Sequence, residues 1–373
     1  MTADIPIITE MEQLQKFAER LEQHASIAID LEADSMHHYR EQACLLQFST
    51  PEETLLVDPL QLANLEPLRK VLADPGSRKL FHAADYDLRC LRRDFDLEVC
   101  GLFDTMIASQ FCGEEKFGLA DLLSKYFSVR LDKKFQRADW TIRPLPHDMM
   151  NYAAEDTRHL ERLAEIMLAN LQKLGREEWV AEECRLLEQV AFDIQEGPKY
   201  LRFKGAGKLA PRQLAVLDLL LEWREGEADR RDVPPFKVFG NQGLLAIALN
   251  APETQKAMAS LDGVYPRLAD RYGRQLLKLV EQALALPEGR LPQYPRGVRR
   301  VREPEVEKRM AALKQWRSHK AAELKLDAGL LINNALLEEL ARRQPQRLAE
   351  LDMLKNWQRR VLGEELLALL KNP

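Results

Sequence analysis

Two alternating sets of side chains run through "SIAIDLEA", residues Ser26–Ala33. Because successive side chains of a strand point to opposite faces, Asp30 and Glu32 share one face. The apolar residues Ile27, Ile29 and Leu31 share the other. Three more strand-like runs follow: "ACLLQFS" at 43–49, "ETLLVDP" at 53–59 and "RKLFHA" at 78–83. Helical patterns then dominate to about residue 197. The first half therefore predicts an α/β sheet with helices packed on it.

The composition is that of a soluble globular protein. The chain has 373 residues, 46% of them hydrophobic and 30% charged, which favours two or three domains. No apolar run approaches the roughly 20 residues of a membrane helix, and no secretory signal is expected at the N-terminus. The five cysteines include no Cys-x-x-Cys pair, which argues against a disulfide framework or a structural zinc site. We therefore expect a cytoplasmic protein without a membrane partner.

Charge is divided unevenly along the chain, although its net value is −5. Residues 1–200 carry 23 Lys and Arg against 37 Asp and Glu, a net of −14, whereas residues 201–373 carry 31 against 22, a net of +9. Such asymmetry predicts an acidic half with its own chemistry and a basic half that meets polyanions. The alternative is that surface charge drifts between domains without a function.

The helical region beyond residue 211 contains an internal repeat. Trp223 and Arg224 match Trp316 and Arg317 at an offset of 93 residues. The same offset relates further pairs: Asn241 and Asn334, Leu244 and Leu337, Ala248 and Ala341, Leu261 and Leu354. After a short gap, Gly273 matches Gly363 and Leu276 matches Leu366. Two copies of one small helical domain are therefore predicted, joined by the Pro-rich segment 286–300.

A carboxylate interrupts the apolar face of the predicted helix "PHDMMNYAAEDTRHLERLAEIMLANLQ", residues 146–172. Asp156 falls on the stripe formed by Met149, Ala153, Leu160, Leu163 and Met167. Tyr152 lies one turn before it. An unpaired buried carboxylate is costly, and a divalent cation would compensate it.

The same cations would compensate Asp30, Glu32 and Asp87. Hard oxygen ligands select Mg²⁺ or Mn²⁺, and four carboxylates could hold two such ions about 4 Å apart, an arrangement suited to phosphodiester cleavage. Each residue alone has a simpler interpretation. Asp30 and Glu32 could form a hydrated strand face, and Asp87 could favour the positive end of a helix dipole, a role for which Asp85 competes.

The ordered set Asp-x-Glu on a strand, Asp before Leu on a later helix, and Tyr-x3-Asp on a last helix resembles the DEDD family of 3′–5′ exonucleases. Asn151 stands where the histidine subgroup has its histidine, so the resemblance is to the tyrosine subgroup. The stretches "FHAADYDLRCLRRDF", "FDTMIASQ" and "ADWTIRPLPHDMMNYAAEDTRHL" resemble the ribonuclease D family. The two helical copies resemble the HRDC domain, which that family shares with RecQ-type helicases.

The resemblance implies a ribonuclease H-like α/β exonuclease domain at 1–197 followed by two all-α HRDC bundles at 211–285 and 301–372. A basic linker at 198–210 and the Pro-rich linker at 286–300 would join them. It also implies roles for the site residues. Asp30 would bridge two metal ions, Glu32 and Asp156 would complete the site of the ion that activates water, and Asp87 would act on the second ion through water. Tyr152 would orient the attacking water. Gln47 and Asp104 also lie in family-like stretches, and we interpret Asp104 as structural.

The function implied by the resemblance is 3′–5′ exoribonuclease activity that trims tRNA precursors and other small structured RNAs and releases 5′-monophosphates. The partner would be RNA with a free 3′ end, gripped at its phosphates by the basic linker and the HRDC copies. A monomer is favoured. Two alternatives remain open: a DNA 3′–5′ exonuclease that uses the same metals, and a non-catalytic nucleic-acid-binding protein on the same scaffold.

Overall fold

The computed structural model describes residues 5–190, 197–295 and 303–371, which divide into two compact units. One unit, called here the catalytic unit, joins the first part of the chain to its C-terminal part: residues 1–33, 43–192 and 301–373. The other, called the middle unit, consists of residues 34–42 and 193–300. The N-terminal α/β region and the second helical copy therefore belong to the same unit. Within the described ranges, none of the helices is both long and apolar enough to cross a bilayer.

A mixed six-stranded sheet forms the centre of the catalytic unit. Its strands are β1 (Ile7–Ile8), β2 (Ser26–Ala33), β3 (Ala43–Ser49), β4 (Thr54–Val57), β5 (Arg78–Phe81) and β6 (Leu102–Asp104). Their order is β1-β4-β3-β2-β5-β6; β3 is antiparallel to β2 and β4, and the other pairs are parallel. The four predicted strands are confirmed. The two further strands have only two and three residues, too few for a periodic pattern to be recognised.

Helices cover the sheet on both faces: α1 (Met11–Leu21), α2 (Arg69–Ala73), α3 (Asp85–Phe95), α4 (Thr105–Cys112), α5 (Leu119–Phe127), α6 (His147–Arg158), α7 (Leu160–Leu174) and α8 (Glu177–Glu188). The larger core includes Ile27, Ile29 and Leu31 of β2, whereas α6 has a smaller core that includes Leu45 of β3. The predicted strand alternation of β2 is thus the one observed.

The prediction of one continuous helix over 146–172 is wrong, because α6 ends at Arg158 and α7 begins at Leu160. The break lies at His159, whose φ of −105° and ψ of −3° depart from helical geometry. Close to it, the Thr157 hydroxyl bonds to the Ala154 carbonyl oxygen at 3.4 Å and to the Ser49 hydroxyl at 2.7 Å. The Ser49 contact also ties α6 to β3 and so fixes the position of Asp156 above the sheet.

The middle unit is a small helical bundle of α9 (Pro211–Arg231), α10 (Pro235–Val238), α11 (Asn241–Asn250), α12 (Gln255–Ala259) and α13 (Pro266–Leu284). Tyr200 and Phe203, from the segment predicted as a linker, are buried in its core. Residues 34–42 also join it. The Tyr39 hydroxyl donates to Glu225 at 3.1 Å, and the Tyr39 backbone N–H donates to Asp232 at 3.1 Å.

The second helical copy has four helices, α14 (Pro304–Leu324), α15 (Ala328–Leu331), α16 (Asn334–Arg343) and α17 (Asn356–Lys371), and a short 3-10 turn at Leu348–Glu350 in the place of α12. The first three begin 93 residues after α9, α10 and α11, so the predicted repeat is confirmed. A hydrogen bond repeats too. Arg224 donates to the Phe239 carbonyl oxygen at 3.2 Å, and Arg317 donates to the Ile332 carbonyl oxygen at 2.7 Å.

An aromatic cluster joins the second copy to the helices of the α/β region. The Trp357 ring, fully buried at the start of α17, stacks on Trp179 at 5.0 Å and meets Phe111 edge-on at 5.3 Å. The Glu182 carboxylate accepts the backbone N–H groups of Asn356 and Trp357 at 2.7 and 2.8 Å. An acidic side chain of α8 thereby binds the N-terminus of α17, where anions are favoured. The second copy is an integral part of the catalytic unit.

We expect Trp357→Ala to destabilise the catalytic unit by about 3–5 kcal/mol, the usual cost of deleting a large buried aromatic side chain. The substitution removes the two ring contacts and the hydrogen bond that the indole N–H donates to Glu183 at 2.8 Å. Urea unfolding followed by circular dichroism measures this free energy. Leu174→Ala, at a residue that is 46% exposed, is the control and should change it by less than about 0.5 kcal/mol. Equal effects of the two substitutions would contradict this docking.

Candidate metal centre and active site

Three carboxylates converge where β2 meets α6. Asp30 and Glu32 come from β2 and Asp156 comes from α6, and one carboxylate oxygen of each lies within 4.8 Å of the others. All three side chains are partly exposed. Residues more than 120 positions apart therefore present their oxygens to one point, as the strand alternation and the helical stripe predict.

Asp87 faces the same cluster from the first turn of α3, and it is the most buried of the four, with 7% of its surface exposed. Burial raises the pKa of the Asp87 carboxyl well above its ordinary value, and the nearby charges of Asp30 and Asp104 raise it further. Asp85, the alternative charge for the helix dipole, instead pairs with Arg89 at 3.0 Å on the surface. Asp85 therefore supplies a negative charge that favours the helix dipole, and Asp87 is not needed for that role.

Burial and neighbouring negative charges raise the pKa of every acid in the cluster. Burial raises the pKa of Asp30 well above its usual range, with a further contribution from Asp156. Burial also raises the pKa of Glu32, and the charges of Asp30, Asp156 and Asp87 add to the increase. The pKa of Asp156 rises to about 7, chiefly through burial and then through Glu155. Four acids that resist ionisation together form a site that favours added positive charge.

Tyr152 borders the cluster one turn before Asp156. Its ring meets Phe135 edge-on at 5.8 Å and lies 6.1 Å from the Trp140 ring. Burial raises the pKa of the Tyr152 phenol, and the charges of Asp156 and Glu32 raise it further. The hydroxyl therefore stays protonated at neutral pH, so it can position a water molecule but is unsuited to remove a proton.

The loop between α5 and α6 carries those two aromatic residues and is held by an ion pair with a buried carboxylate. Arg143, which is partly exposed, donates to the two carboxylate oxygens of Asp58 at 2.6 and 2.8 Å, and Asp58 is fully buried. The same guanidinium donates to the Cys44 carbonyl oxygen at 2.8 Å. Removal of Arg143 would leave the buried Asp58 charge uncompensated, so this pair fixes the loop against the sheet.

A cavity of about 330 Å³ opens beside Tyr152 and Asp156. Its lining combines cations, an aromatic ring and carboxylates: Arg130, Leu131, Asp132, Lys134, Phe135, Asp148, Asn151, Tyr152, Glu155 and Asp156. A pocket in the range of roughly 300–1,000 Å³ suits a small ligand. The cavity adjoins the acids that would carry out the chemistry.

Asp104 has structural contacts that account for its burial. Its carboxylate accepts the backbone N–H groups of Met106 and Ile107 at the start of α4, and also those of Ala83 and Ala84 in the loop before α3. The Asp104 side chain thus caps α4 and also holds the backbone that leads into α3. This agrees with the structural interpretation made from the sequence.

The donor set fits hard divalent cations. The cluster offers carboxylate oxygens only, and Mg²⁺ and Mn²⁺ prefer such ligands over the nitrogen and sulfur donors of zinc sites. The raised pKa values indicate that negative charge is crowded here, and a bound cation would relieve that repulsion. The observed residues therefore satisfy the requirements of a divalent-metal centre.

Sequence reasoning missed the residues of the α5–α6 loop that surround Tyr152, in particular Phe135, Trp140 and Arg143. Their contacts join residues far apart in the chain, as in the pairing of Arg143 with Asp58 across 85 positions. An apolar and cationic run without helical or strand periodicity gives no signal for such contacts. The only usable sign was the Trp in "ADWTIRPLP" between polar residues.

Comparisons with known proteins extend over the whole chain. A family model described as 3′–5′ exonuclease matches residues 5–172, and one described as HRDC domain matches residues 213–280 and 306–370. Ribonuclease D of Gluconacetobacter diazotrophicus is 32% identical over 98% of this chain and 93% of its own length. Ribonuclease D of Escherichia coli is 30% identical over 98% of each chain.

The crystal structure of Escherichia coli RNase D is similar throughout, with a TM-score of 0.73, 29% identity and 98% of each chain covered. The matched regions include the mixed sheet and both helical copies. The predicted fold class, an α/β exonuclease domain followed by two HRDC domains, is confirmed.

Proposed function

The chain belongs to the ribonuclease D family of 3′–5′ exoribonucleases, and from this premise we propose that it trims the 3′ ends of tRNA precursors and other small structured RNAs. It would do so by two-metal-ion hydrolysis and release 5′-monophosphates. The observation that carries the proposal is the convergence of Asp30, Glu32 and Asp156 within 4.8 Å, beside Tyr152. The similar Escherichia coli protein is described as an exoribonuclease involved in structured RNA processing, which supports the substrate class.

In this proposal the four acids would hold two Mg²⁺ or Mn²⁺ ions. Asp30, Glu32 and Asp156 would supply the converging carboxylate oxygens, and Asp87 would complete the set of acids around them. When bound, such ions make a water molecule more acidic and stabilise negative charge on the leaving oxygen. The Tyr152 hydroxyl, held by its aromatic neighbours, orients the attacking water towards the phosphorus.

The cavity beside Tyr152 would receive the terminal nucleotide. Arg130 and Lys134 line it and supply positive charge for a phosphate, and the Phe135 ring offers a surface for base stacking. Stacking tolerates every base, so this arrangement suits an enzyme that removes nucleotides of any sequence. We also propose action in the cytoplasm, because an odd number of cysteines without a Cys-x-x-Cys pair argues against a disulfide framework and fits a reducing compartment.

The metal centre predicts a stability effect that depends on pH. The pKa of Asp156 is about 7 in the folded protein, above about 3.9 for an unfolded aspartate. Between these values the folded state binds more protons than the unfolded chain, so without cations stability falls as pH rises from about 4 to 7. Cations need ionised carboxylates and stabilise the folded state, so Mn²⁺ should raise the Tm more at about pH 8 than at about pH 5.5.

Thermal unfolding with and without MnCl₂ at both pH values measures this difference. The Asp30→Asn variant is the control, and its Tm should respond little to Mn²⁺ at either pH. Equal Mn²⁺-induced shifts at the two pH values in the unsubstituted chain would contradict the assignment of these carboxylates as ligands.

The two HRDC copies differ on their last helices, α13 and α17, and we propose that only the first copy binds RNA phosphates. Four exposed cations follow helical spacing along α13: Arg267, Arg271, Arg274 and Lys278. In the second copy, aligned through Gly273 and Gly363, these positions hold Trp357, Val361, Glu364 and Ala368. The first copy has ten cations and ten carboxylates over 211–285, so the segregation of charge onto α13, and not its sum, favours polyanion binding.

Neutralising the α13 stripe should therefore flatten the salt dependence of RNA binding. Each phosphate contact contributes about 0.7–0.9 to the log–log slope, so changing all four cations to Gln should reduce it by about 3. Binding of a tRNA precursor by Asp30→Asn versions across a salt series measures the slope. The matched control changes four exposed cations of the second copy to Gln: Arg342, Arg343, Arg347 and Lys371. An unchanged slope in the α13 variant, or an equal loss in the control, would contradict this division.

The same metals could serve a DNA 3′–5′ exonuclease, because the choice of sugar depends on contacts with the 2′-hydroxyl. Hydrolysis rates on matched RNA and DNA oligonucleotides distinguish the two, and faster cleavage of RNA is the expected result. The non-catalytic alternative predicts no products with or without Mn²⁺. We also propose a monomeric chain with domains at 1–197, 211–285 and 301–372 and linkers at 198–210 and 286–300. Residues 34–42 of the first domain, and Tyr200 and Phe203 of the first linker, pack with the helical bundle that follows.

A further inference from the structure

Gln47 lies next to the acids but takes no part in the reaction described above. It stands on β3 directly opposite Asp30 of β2 in the antiparallel register. Side chains of such a pair point to the same face, with Cβ atoms about 4.5–5.5 Å apart. The neighbouring residues of β3 on that face confirm the direction, because Leu45 packs in the α6 core and Ser49 bonds to Thr157 of α6.

The Gln47 amide is fully buried, and neither its oxygen nor its nitrogen has a hydrogen-bond partner among the described residues. Its second strand neighbour, Leu56 of β4, belongs to the apolar α6 core. A buried amide without a partner costs free energy that a leucine or methionine of similar size would not. A purely packing role therefore gives no physical reason for an amide at this position.

We propose that Gln47 is a positioning residue that orients the Asp30 carboxylate for metal binding by donating an N–H hydrogen bond to it, directly or through one water. Asp30 is the polar side chain opposite it in the register. Rotation about the glutamine side-chain torsions is enough to redirect the two N–H donors, so the backbone need not move. Carboxylate ligands are themselves usually hydrogen-bonded, and loss of such a partner typically weakens metal affinity 10- to 100-fold.

This inference rests on the proposed metal centre, and its test is a binding measurement without RNA. Gln47→Met keeps the length of the side chain and removes the amide. Calorimetric titration with Mn²⁺ should show about 10- to 100-fold weaker binding than in the unsubstituted chain. The apo protein should be at least as stable as before, because an amide without a partner has been removed. Gln47→Leu supplies the same measurement if the Met variant does not fold.

Gln358→Met is the matched control. Gln358 is equally a buried glutamine, 3% exposed, but its amide donates to the Leu331 carbonyl oxygen at 2.6 Å within the second HRDC copy. This variant should lose stability and keep its Mn²⁺ affinity. If the unsubstituted chain binds Mn²⁺ and Gln47→Met binds it equally well, the positioning role is overturned while the metal centre stands. If the unsubstituted chain binds no Mn²⁺, both are overturned.

Discussion

Asp30→Asn should lower kcat by about 10⁴-fold while RNA affinity changes little. The substitution keeps the shape of the side chain but removes a charge that, in the proposed mechanism, would hold the metal ions. Metal ions supply several kcal/mol of transition-state stabilisation, and each 1.36 kcal/mol corresponds to tenfold in rate. Single-turnover cleavage of a short RNA in Mg²⁺ or Mn²⁺ measures the loss, and a filter-binding assay measures the affinity.

The control for this prediction is Asp85→Asn. Asp85 lies in the first turn of α3 near Asp87, but it is exposed and pairs with Arg89. A surface ion pair contributes about 0–1 kcal/mol, so its loss should leave kcat nearly unchanged. Near-normal hydrolysis by Asp30→Asn would rule out the carboxylate metal centre, whatever the behaviour of the control.

Tyr152→Phe should lower kcat on the order of 10²-fold with little change in KM. The variant keeps the ring between Phe135 and Trp140 and removes only the hydroxyl. Loss of one positioned acid–base group costs roughly 10²–10⁴-fold, and we expect the low end because the protonated phenol orients water without transferring its proton. An effect on kcat alone indicates an interaction made in the transition state.

Tyr126→Phe is the matched control for Tyr152→Phe. The Tyr126 hydroxyl donates to Glu114 at 2.5 Å, and Tyr126 lies on α5, which contributes none of the four acids. Steady-state kinetics on the same RNA should show no loss of kcat in this variant. If Tyr152→Phe retained full kcat, the role of Tyr152 would be reduced to packing.

Local patterns in the sequence predicted most of the candidate active site. The alternation of β2 placed Asp30 and Glu32 on one face, and the apolar stripe marked Asp156 as a misplaced charge. Both inferences need only the periodicity of one element. Asp87 gave a weaker signal by itself, because a carboxylate in the first turn of a helix is common. It was singled out as a fourth carboxylate for the same cations and then by the resemblance to a family.

Other parts of the site could not be predicted because they depend on contacts between distant residues. The pairing of Arg143 with Asp58 positions the aromatic residues around Tyr152, yet neither residue belongs to a periodic pattern. The break between α6 and α7 lies at His159, close to a hydroxyl contact of Thr157 with Ser49, 108 positions away. Because the helical pattern of the sequence continues through both segments, it does not indicate this break.

The internal repeat predicted two similar domains but not their different surroundings. Both copies keep four corresponding helices and the same arginine hydrogen bond, so the repeat identified their fold correctly. Their outer residues diverge. The position that holds exposed Arg267 in the first copy holds the buried Trp357 in the second, which packs against Trp179 of the catalytic unit. A domain fold can be recognised from its core, whereas the partner of its outer face depends on surface residues.

The most direct test of the central claim is product analysis with a tRNA precursor that carries a 3′ extension. The substrate is labelled at its 5′ end in one experiment and within the extension in another. With the full chain and Mg²⁺ or Mn²⁺, we predict that the precursor shortens one nucleotide at a time from the 3′ end. The labelled extension should appear as 5′-mononucleotides, and chelation of the metal should stop the reaction. Internal cleavage products, 3′-phosphate mononucleotides, or shortening that continues after chelation would contradict the account.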